Sequence, residues 1–376
     1  MSKIGIMGGT FNPIHNGHIR IAQAAKSEYH LDKVIFLTSG NPPHKRDAAI
    51  LDAKIRHIMV KRAISGIDGF EPCDYEVNRT EYSYSVNTLR HFKEIMPEDE
   101  LFFIIGGDPL CDFHKWYMPD EILKLCTLLV YDRSGGIIDS DFAKPIRGEK
   151  LDISSTDIRE KLENSEEVSG LVPPAVLEFI NKYNIYRKKL GYEEQLKTLL
   201  IPERYAHSIG VMESSVELAK IYGADIEKAK IAGLLHDCAK NLDNIYERCR
   251  DLEVELDEVE LKSPPIVHAK LGAEIAKIEF GITDPEILEA IRWHTIGKPN
   301  MTLLEKIVFV ADLTEPGRTY PDAKPLCVLS RENLDLALYK CVLATVEINK
   351  KRGNPVHPNA FAILKELEQK NIVKID

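Results

Sequence analysis

The chain has 376 residues, 44% of them hydrophobic and 29% charged, with a formal net charge of −10. That length exceeds one ordinary core and suits two domains of near-equal size. The acidic balance argues against nonspecific nucleic-acid binding, which neutralises backbone phosphates with Lys and Arg, although a local cluster of donors can still hold a small phosphorylated substrate.

In chain order, Lys3–Met7, Lys33–Leu37, Leu101–Ile105 and Leu128–Tyr131 are short apolar runs that read as buried strands. Helical spacing fills the intervals at His18–Tyr29, Ala53–Ile64 and Ser85–Ile95. Alternation of this kind predicts a parallel sheet covered on both faces, an α/β domain. After about residue 196 the strand signals stop. Amphipathic runs follow at Tyr205–Tyr222, Ile226–Ala239, Val267–Phe280 and Pro285–His294, which predicts an all-α second half. The expected division is residues 1–187, a polar linker over 188–195, and residues 196–376. No run of about 18 apolar residues is present, and MSKIGIMGG opens on a strand rather than a signal peptide. Seven cysteines without a CxxC pair fit reduced thiols. The expected location is therefore the cytoplasm, with no membrane and no nucleic-acid partner. A homo-oligomer is left open.

The first strand runs into Gly8-Gly9-Thr10-Phe11-Asn12-Pro13-Ile14-His15-Asn16-Gly17-His18, and a helix follows. Glycines let the backbone approach a phosphate, and the helix N-terminus offers N–H groups to an anion. A Gly-rich turn alone is an ordinary strand-to-helix connection. His15 and His18, three residues apart at the first helical turn, are not explained by packing and point to a phosphate cradle. Ile153-Ser154-Ser155-Thr156-Asp157-Ile158-Arg159 is a second donor cluster: three hydroxyl residues exceed one N-cap, and Arg159 follows on the first turn. Lys45 adds a cation after the second strand.

GGTFNPIHNGH together with ISSTDIR resembles the nicotinate-nucleotide adenylyltransferases of the nucleotidyltransferase superfamily, over roughly residues 1–187. The resemblance implies a Rossmann-like sheet, Mg²⁺ accompanying ATP, and adenylyl transfer from ATP to nicotinate mononucleotide with release of pyrophosphate. It places Gly8, Gly9, Thr10 and Phe11 in the nucleotide loop, with His15 and His18 on the ATP phosphates. Ser154, Ser155, Thr156 and Arg159 belong with the β- and γ-phosphates, and Lys45 with the transferring group. Glu81–Leu89 is similar to the family's SYT-x-DTL segment and contributes Tyr84 and Ser85, with Asn87 standing where an Asp is expected. Gly107-Asp108 followed by Trp116-Tyr117 resembles the family's GAD…W region. That likeness assigns Asp108 to the nucleotide and gives Trp116 as a stacking partner for the nicotinate ring.

The second half contains His207, the pair His236-Asp237, His268, His294 and Asp312. Any one of these is ordinary on a helix. His236-Asp237 ends the apolar run Ala232–Leu235, and Asp312 ends Ile307–Ala311. Placing such groups beside buried segments is costly unless they are paired or metal-bound. The order H…HD…H…H…D resembles the HD phosphohydrolases. The segments Arg204–Ser208, His294-Thr295, Ala311–Arg318 and Val356-His357-Pro358 are similar to the bacterial symmetrical diadenosine tetraphosphatases. That likeness implies an all-α HD bundle holding two divalent metals, iron by resemblance. His207, His236, Asp237 and Asp312 would hold the first, His268 and His294 the second, with Asp237 bridging. Lys240 and Arg318 would be phosphate donors, and two ADP the products. The competing expectation keeps the transferase active while the HD domain hydrolyses another nucleotide or senses one for its neighbour.

Overall fold

The computed structural model describes residues 1–42, 50–79, 81–131, 140–149 and 152–370. They form two compact units, Met1–Lys188 and Lys189–Asp376.

In the first unit, β1 (Lys3–Gly9), α1 (Asn16–Tyr29), β2 (Lys33–Thr38), α2 (Ala53–Ile64) and β3 (Phe70–Cys73) come first. They are followed by α3 (Ser85–Ile95), β4 (Glu100–Gly106), α4 (Gly107–Cys111), α5 (Pro119–Leu125), β5 (Thr127–Tyr131) and β6 (Ala143–Ile146). The last two helices are α6 (Ser155–Glu163) and α7 (Pro174–Lys182). The sheet has the order β3-β2-β1-β4-β5-β6, and every pairing is parallel. Ile4 pairs with Lys33 on one side and Leu101 on the other. The four central strands each carry an unbroken buried run of at least four residues, as expected for strands covered on both faces. Ile4, Ile6, Ile35, Leu37, Phe103 and Val130 face one way, against Val86 and Leu89 of α3 and Ile122 of α5. Two edge strands had no apolar signal. β3 reads FEPC and β6 reads AKPI, each with two exposed residues and a proline, which an edge position tolerates.

The chain leaves β1 for β2 on one side and later returns to β4 on the other. β1 and β4 therefore flank the topological switch point, where a crevice opens beyond their carboxyl ends. The loop after β1 and the Gly106-Gly107 turn after β4 both lie at that edge.

In the second unit no strand occurs among the described residues. Its helices are α8 (Tyr192–Leu199), α9 (Pro202–Tyr222), α10 (Ile226–Leu235), α11 (Ile245–Asp251), α12 (Glu258–Leu261) and α13 (Pro264–Ile278). Then follow α14 (Pro285–Trp293), α15 (Leu303–Thr314), α16 (Ala323–Glu332), α17 (Leu334–Arg352) and α18 (Pro358–Gln369). The second half of the polar stretch 188–195 is the first turn of α8, where Glu193 and Glu194 suit a helix N-terminus. Ile307 to Ala311 of α15 are all buried, so this helix runs through the core. α9 and α10 approach closely: a Cβ on Gly233 would stand 2.8 Å from Ser215 Oγ. None of the described helices is long and apolar enough to cross a membrane.

Candidate active sites

The loop after β1 is shaped by a few contacts. Phe11 adopts φ 47°, and a Cβ on Gly9 would lie 2.8 Å from its ring. His15 is the N-cap of α1, and its backbone N–H donates to His18 Nδ1 at 3.2 Å. The two imidazoles stack with centroids 3.7 Å apart, and Phe11 meets His18 edge-on at 5.1 Å. His15 is 1% exposed. A Cβ on Gly17 would stand 2.9 Å from His15 Nδ1, so only glycine lets the His15 ring lie against the first helical turn. The result is a pair of imidazoles at a helix N-terminus beside the switch point, an arrangement suited to an anion.

The Ser154–Arg159 segment, far away in sequence, docks onto this loop. Ser155 Oγ donates to the Pro13 carbonyl at 2.9 Å, and Arg159 Nη1 donates to the Asn12 carbonyl at 2.8 Å. Arg159 Nη2 reaches Thr156 Oγ1 at 3.3 Å, and Tyr186 donates to Asn12 Oδ1 at 2.7 Å. Ser154 caps α6 by accepting the Asp157 N–H, the ordinary role for a hydroxyl there.

Sequence reasoning missed Arg56. It is 1% exposed, and its guanidinium donates to the carbonyls of Thr10 (2.5 Å), Ser39 (2.7 Å), Gly40 (3.3 Å) and Leu51 (2.7 Å). Burial pushes it down to about 10, so it remains charged at neutral pH. The Thr10–Phe11 peptide is trans, so pinning the Thr10 carbonyl turns the Phe11 N–H to the opposite side. One signal was available: Arg56 stands on the apolar stripe of α2 with Met59, Val60 and Ala63, where a cation is out of place.

Tyr84 is the N-cap of α3 and lies 4.9 Å from Tyr117, ring to ring, with Ser85 opening the helix. Asn87 Oδ1 accepts from Arg90 at 3.2 Å, so the polar side chain is used locally. Trp116 is half-buried, edge-on to Phe103 at 6.3 Å and tilted on Phe113 at 5.5 Å, so much of its ring belongs to the core. Asp108 falls in α4, directly after β4. Lys45 lies outside the described residues.

In the second unit, His207 comes from α9, His236-Asp237 from the end of α10, His268 from α13, His294 from the end of α14 and Asp312 from α15. The helix expected to run to Ala239 stops at Leu235. His236 instead gives Nδ1 to the Gly233 carbonyl (2.7 Å), one of the carbonyls a helix end leaves unpaired. His294 does the same with Ile291 (2.7 Å), and His268 with Pro265 (2.8 Å). Each Nδ1–H is thereby committed to a carbonyl, which leaves Nε2 as a lone-pair donor aimed inward.

Those lone pairs meet. His236 Nε2 lies 3.3 Å from His207 Nε2, and His268 Nε2 lies 3.1 Å from His294 Nε2. Asp312 Oδ1 is 2.9 Å from His207 Nε2 and 3.7 Å from His236 Nε2. Asp237 divides its carboxylate between two pairs of imidazoles. Oδ2 faces His236 (3.7 Å) and His207 (4.0 Å), whereas Oδ1 faces His268 (2.9 Å) and His294 (3.6 Å). Burial pushes His268 down to about 4. Burial would raise both carboxyls, but the surrounding imidazoles outweigh it and hold Asp237 and Asp312 well below the usual range. Imidazoles whose Nε2 atoms converge, with carboxylate oxygens between them, fit divalent cations.

Three cations surround this cluster. Arg318 contacts Asp312 and His207, Lys240 Nζ lies 3.2 Å from His268 Nε2, and Arg204 Nη1 lies 3.4 Å from Asp237 Oδ2. In the sequence Arg204 carries no signal beyond its place in the Arg204–Ser208 segment. A cavity of about 240 Å³ lies alongside, lined among others by Pro265, Thr295, Phe309, Asn349 and His357. Pro265 supplies the carbonyl that holds His268, and Thr295 directly follows His294.

Comparison with known proteins gives both halves relatives. Residues 6–161 match the cytidylyltransferase-like family and residues 204–317 the HD domain family. A Clostridium tetani protein named probable nicotinate-nucleotide adenylyltransferase is 44% identical over 200 residues, covering 50% of this chain and 100% of the relative. A Mycoplasma genitalium protein named probable nicotinate-nucleotide adenylyltransferase/Ap4A hydrolase is 31% identical over 316 residues, covering 84% of this chain and 88% of the relative. A crystal structure of a predicted HD superfamily hydrolase involved in NAD metabolism, from Clostridium acetobutylicum, is 37% identical with a TM-score of 0.47. It covers 49% of this chain and 100% of that one.

Proposed function

We propose that this chain, which belongs to the nicotinate-nucleotide adenylyltransferase family and carries an HD domain behind that module, is an enzyme with two active sites. The first joins ATP and nicotinate mononucleotide into nicotinate adenine dinucleotide and pyrophosphate. The second hydrolyses diadenosine tetraphosphate symmetrically to two ADP.

The first reading rests on the stacked His15–His18 pair at the switch point, held by Gly17, in a loop whose Pro13 and Asn12 carbonyls accept from Ser155 and Arg159. The nicotinate mononucleotide phosphate attacks the α-phosphorus of ATP in line, and Mg²⁺ enters with ATP. No covalent nucleophile is needed: positioning and charge stabilisation lower the barrier. His18 sits nearest the developing charge and His15 backs it. Gly8, Gly9, Thr10 and Phe11 present backbone to the nucleotide. Ser154, Ser155, Thr156, Arg159 and Lys45 are assigned to the phosphates, and Tyr84, Ser85, Asp108 and Trp116 to the nicotinate nucleotide.

The second reading rests on the inward-facing Nε2 atoms and the divided carboxylate of Asp237. His207, His236, Asp312 and one Asp237 oxygen would hold one divalent cation, and His268, His294 and the other oxygen a second, with iron as our assignment. When bound, such ions polarise a phosphoanhydride and acidify a water. Lys240, Arg318 and Arg204 neutralise the polyphosphate, and the cavity beside His268 and His294 receives a nucleoside. Water adds across the central anhydride, leaving a diphosphate on each adenosine. Replacing His236 and Asp237 with Ala tests this reading: hydrolysis is lost and dinucleotide synthesis is retained. Undiminished hydrolysis would sink it.

A further inference from the structure

One imidazole of the cluster is held differently from the other three. His236, His268 and His294 give Nδ1 to backbone carbonyls, whereas His207 Nδ1 faces the Glu315 carboxylate at 3.1 Å. Glu315 is 6% exposed, and its second oxygen accepts the Gly317 N–H at 2.5 Å. Space for this carboxylate is reserved by two glycines. A Cβ on Gly210 would stand 2.6 Å from Glu315 Oε2, and one on Gly317 would stand 2.9 Å from it. Gly210 lies inside the 21-residue α9, without a positive φ, where helix propensity favours alanine. Neither backbone conformation nor helix formation calls for glycine there, but the carboxylate does.

We propose that Glu315 is a positioning residue of the metal centre: it fixes the His207 ring with Nε2 turned toward Asp312 and strengthens that one imidazole as a donor. A carboxylate on the far ring nitrogen orients the ligand and raises its basicity more than a neutral carbonyl does. Asp312 and His236, both within reach of His207 Nε2, define where the strengthened lone pair points. The role rests on the reading of the six-residue cluster as a metal centre.

The test is titration of full-length protein with Co²⁺ against a chromogenic chelator, with visible ligand-field spectra, for wild type, Glu315→Gln and Gly210→Ala. Each variant is expected to hold Co²⁺ ~10–100-fold more weakly at one site and to shift the spectrum. Gly210→Ala leaves every ligand atom in place and is favoured by helix propensity, so it decides the matter even where Glu315→Gln folds poorly. Wild-type affinity and spectrum in Gly210→Ala, with or without a lowered melting midpoint, overturn the role and leave Glu315 a brace for the Pro316-Gly317 turn. Wild-type protein that takes up no Co²⁺ overturns the metal-centre reading itself, and the role with it.

Discussion

Replacing Arg56 with Met removes a guanidinium from behind the glycine loop while keeping much of its stem. The carbonyls of Thr10, Ser39, Gly40 and Leu51 lose their donor. Setting aside the longest contact, three bonds from a charged donor contribute about 1.5–3 kcal/mol each, or roughly 5–9 kcal/mol together. Burial opposes this. It holds the guanidinium down to about 10, a penalty of about 3.5 kcal/mol at about 1.4 kcal/mol per tenfold, which the Met variant escapes. The net expectation is a loss of about 1–6 kcal/mol. In a domain of this size each kcal/mol moves the midpoint by about 2–4 °C, so the first unit should melt roughly 2–24 °C lower. Calorimetry on the full chain reads this, with metal content of the second unit as the internal control. Adenylyl transfer kinetics should show a raised KM for ATP, because the Phe11 N–H is no longer oriented. Arg56→Lys keeps the charge without the planar fork and should fall between the two. A Met variant with unchanged midpoint and unchanged KM would refute the reasoning.

Other outcomes follow from the same geometry. Gly17→Ala places a Cβ 2.9 Å from His15 Nδ1. Because a misplacement of about 1 Å can lower rates ~100-fold, its kcat/KM should fall by that order while circular dichroism stays native. His18→Ala should stop dinucleotide synthesis yet leave metal content, measured by elemental analysis, at the wild-type level. Chelation should lower the melting transition of the second unit alone. At a free metal concentration 100 times Kd, bound metal contributes about 2.7 kcal/mol, and a transition unmoved by chelator would count against a metal centre.

Much of the fold was legible because the central strands and long helices carry their burial in the sequence. α2 and α3 begin and end where the apolar spacing puts them, at Ala53–Ile64 and Ser85–Ile95. β3 and β6 escaped because an edge strand buries little and tolerates the prolines that break a strand pattern. The end of α10 escaped because His236 competes through its side chain for the Gly233 carbonyl, which periodicity does not register. His236, Asp237 and Asp312 were visible because acids and imidazoles at the ends of buried runs are costly by themselves, whereas His207, His268 and His294 entered through the resemblance of the H…HD…H…H…D order to the HD phosphohydrolases. Arg56 and Glu315 were not singled out. Each acts on a neighbour far away in sequence, Arg56 through backbone carbonyls and Glu315 through His207. Arg56 leaves one local trace, a cation on an apolar stripe; Glu315 leaves a glycine, Gly210, inside a helix and its place in the Ala311–Arg318 segment.

The most direct test of two working sites in one chain is product analysis of the purified protein in two separate reactions. One contains nicotinate mononucleotide, ATP and Mg²⁺, and the other diadenosine tetraphosphate with Fe²⁺ or Mn²⁺. The account predicts nicotinate adenine dinucleotide with pyrophosphate from the first, and ADP as the sole nucleotide product from the second. Synthesis without hydrolysis, in protein shown to hold its metals, would contradict the assignment of the second site. Absence of synthesis in folded protein would contradict that of the first.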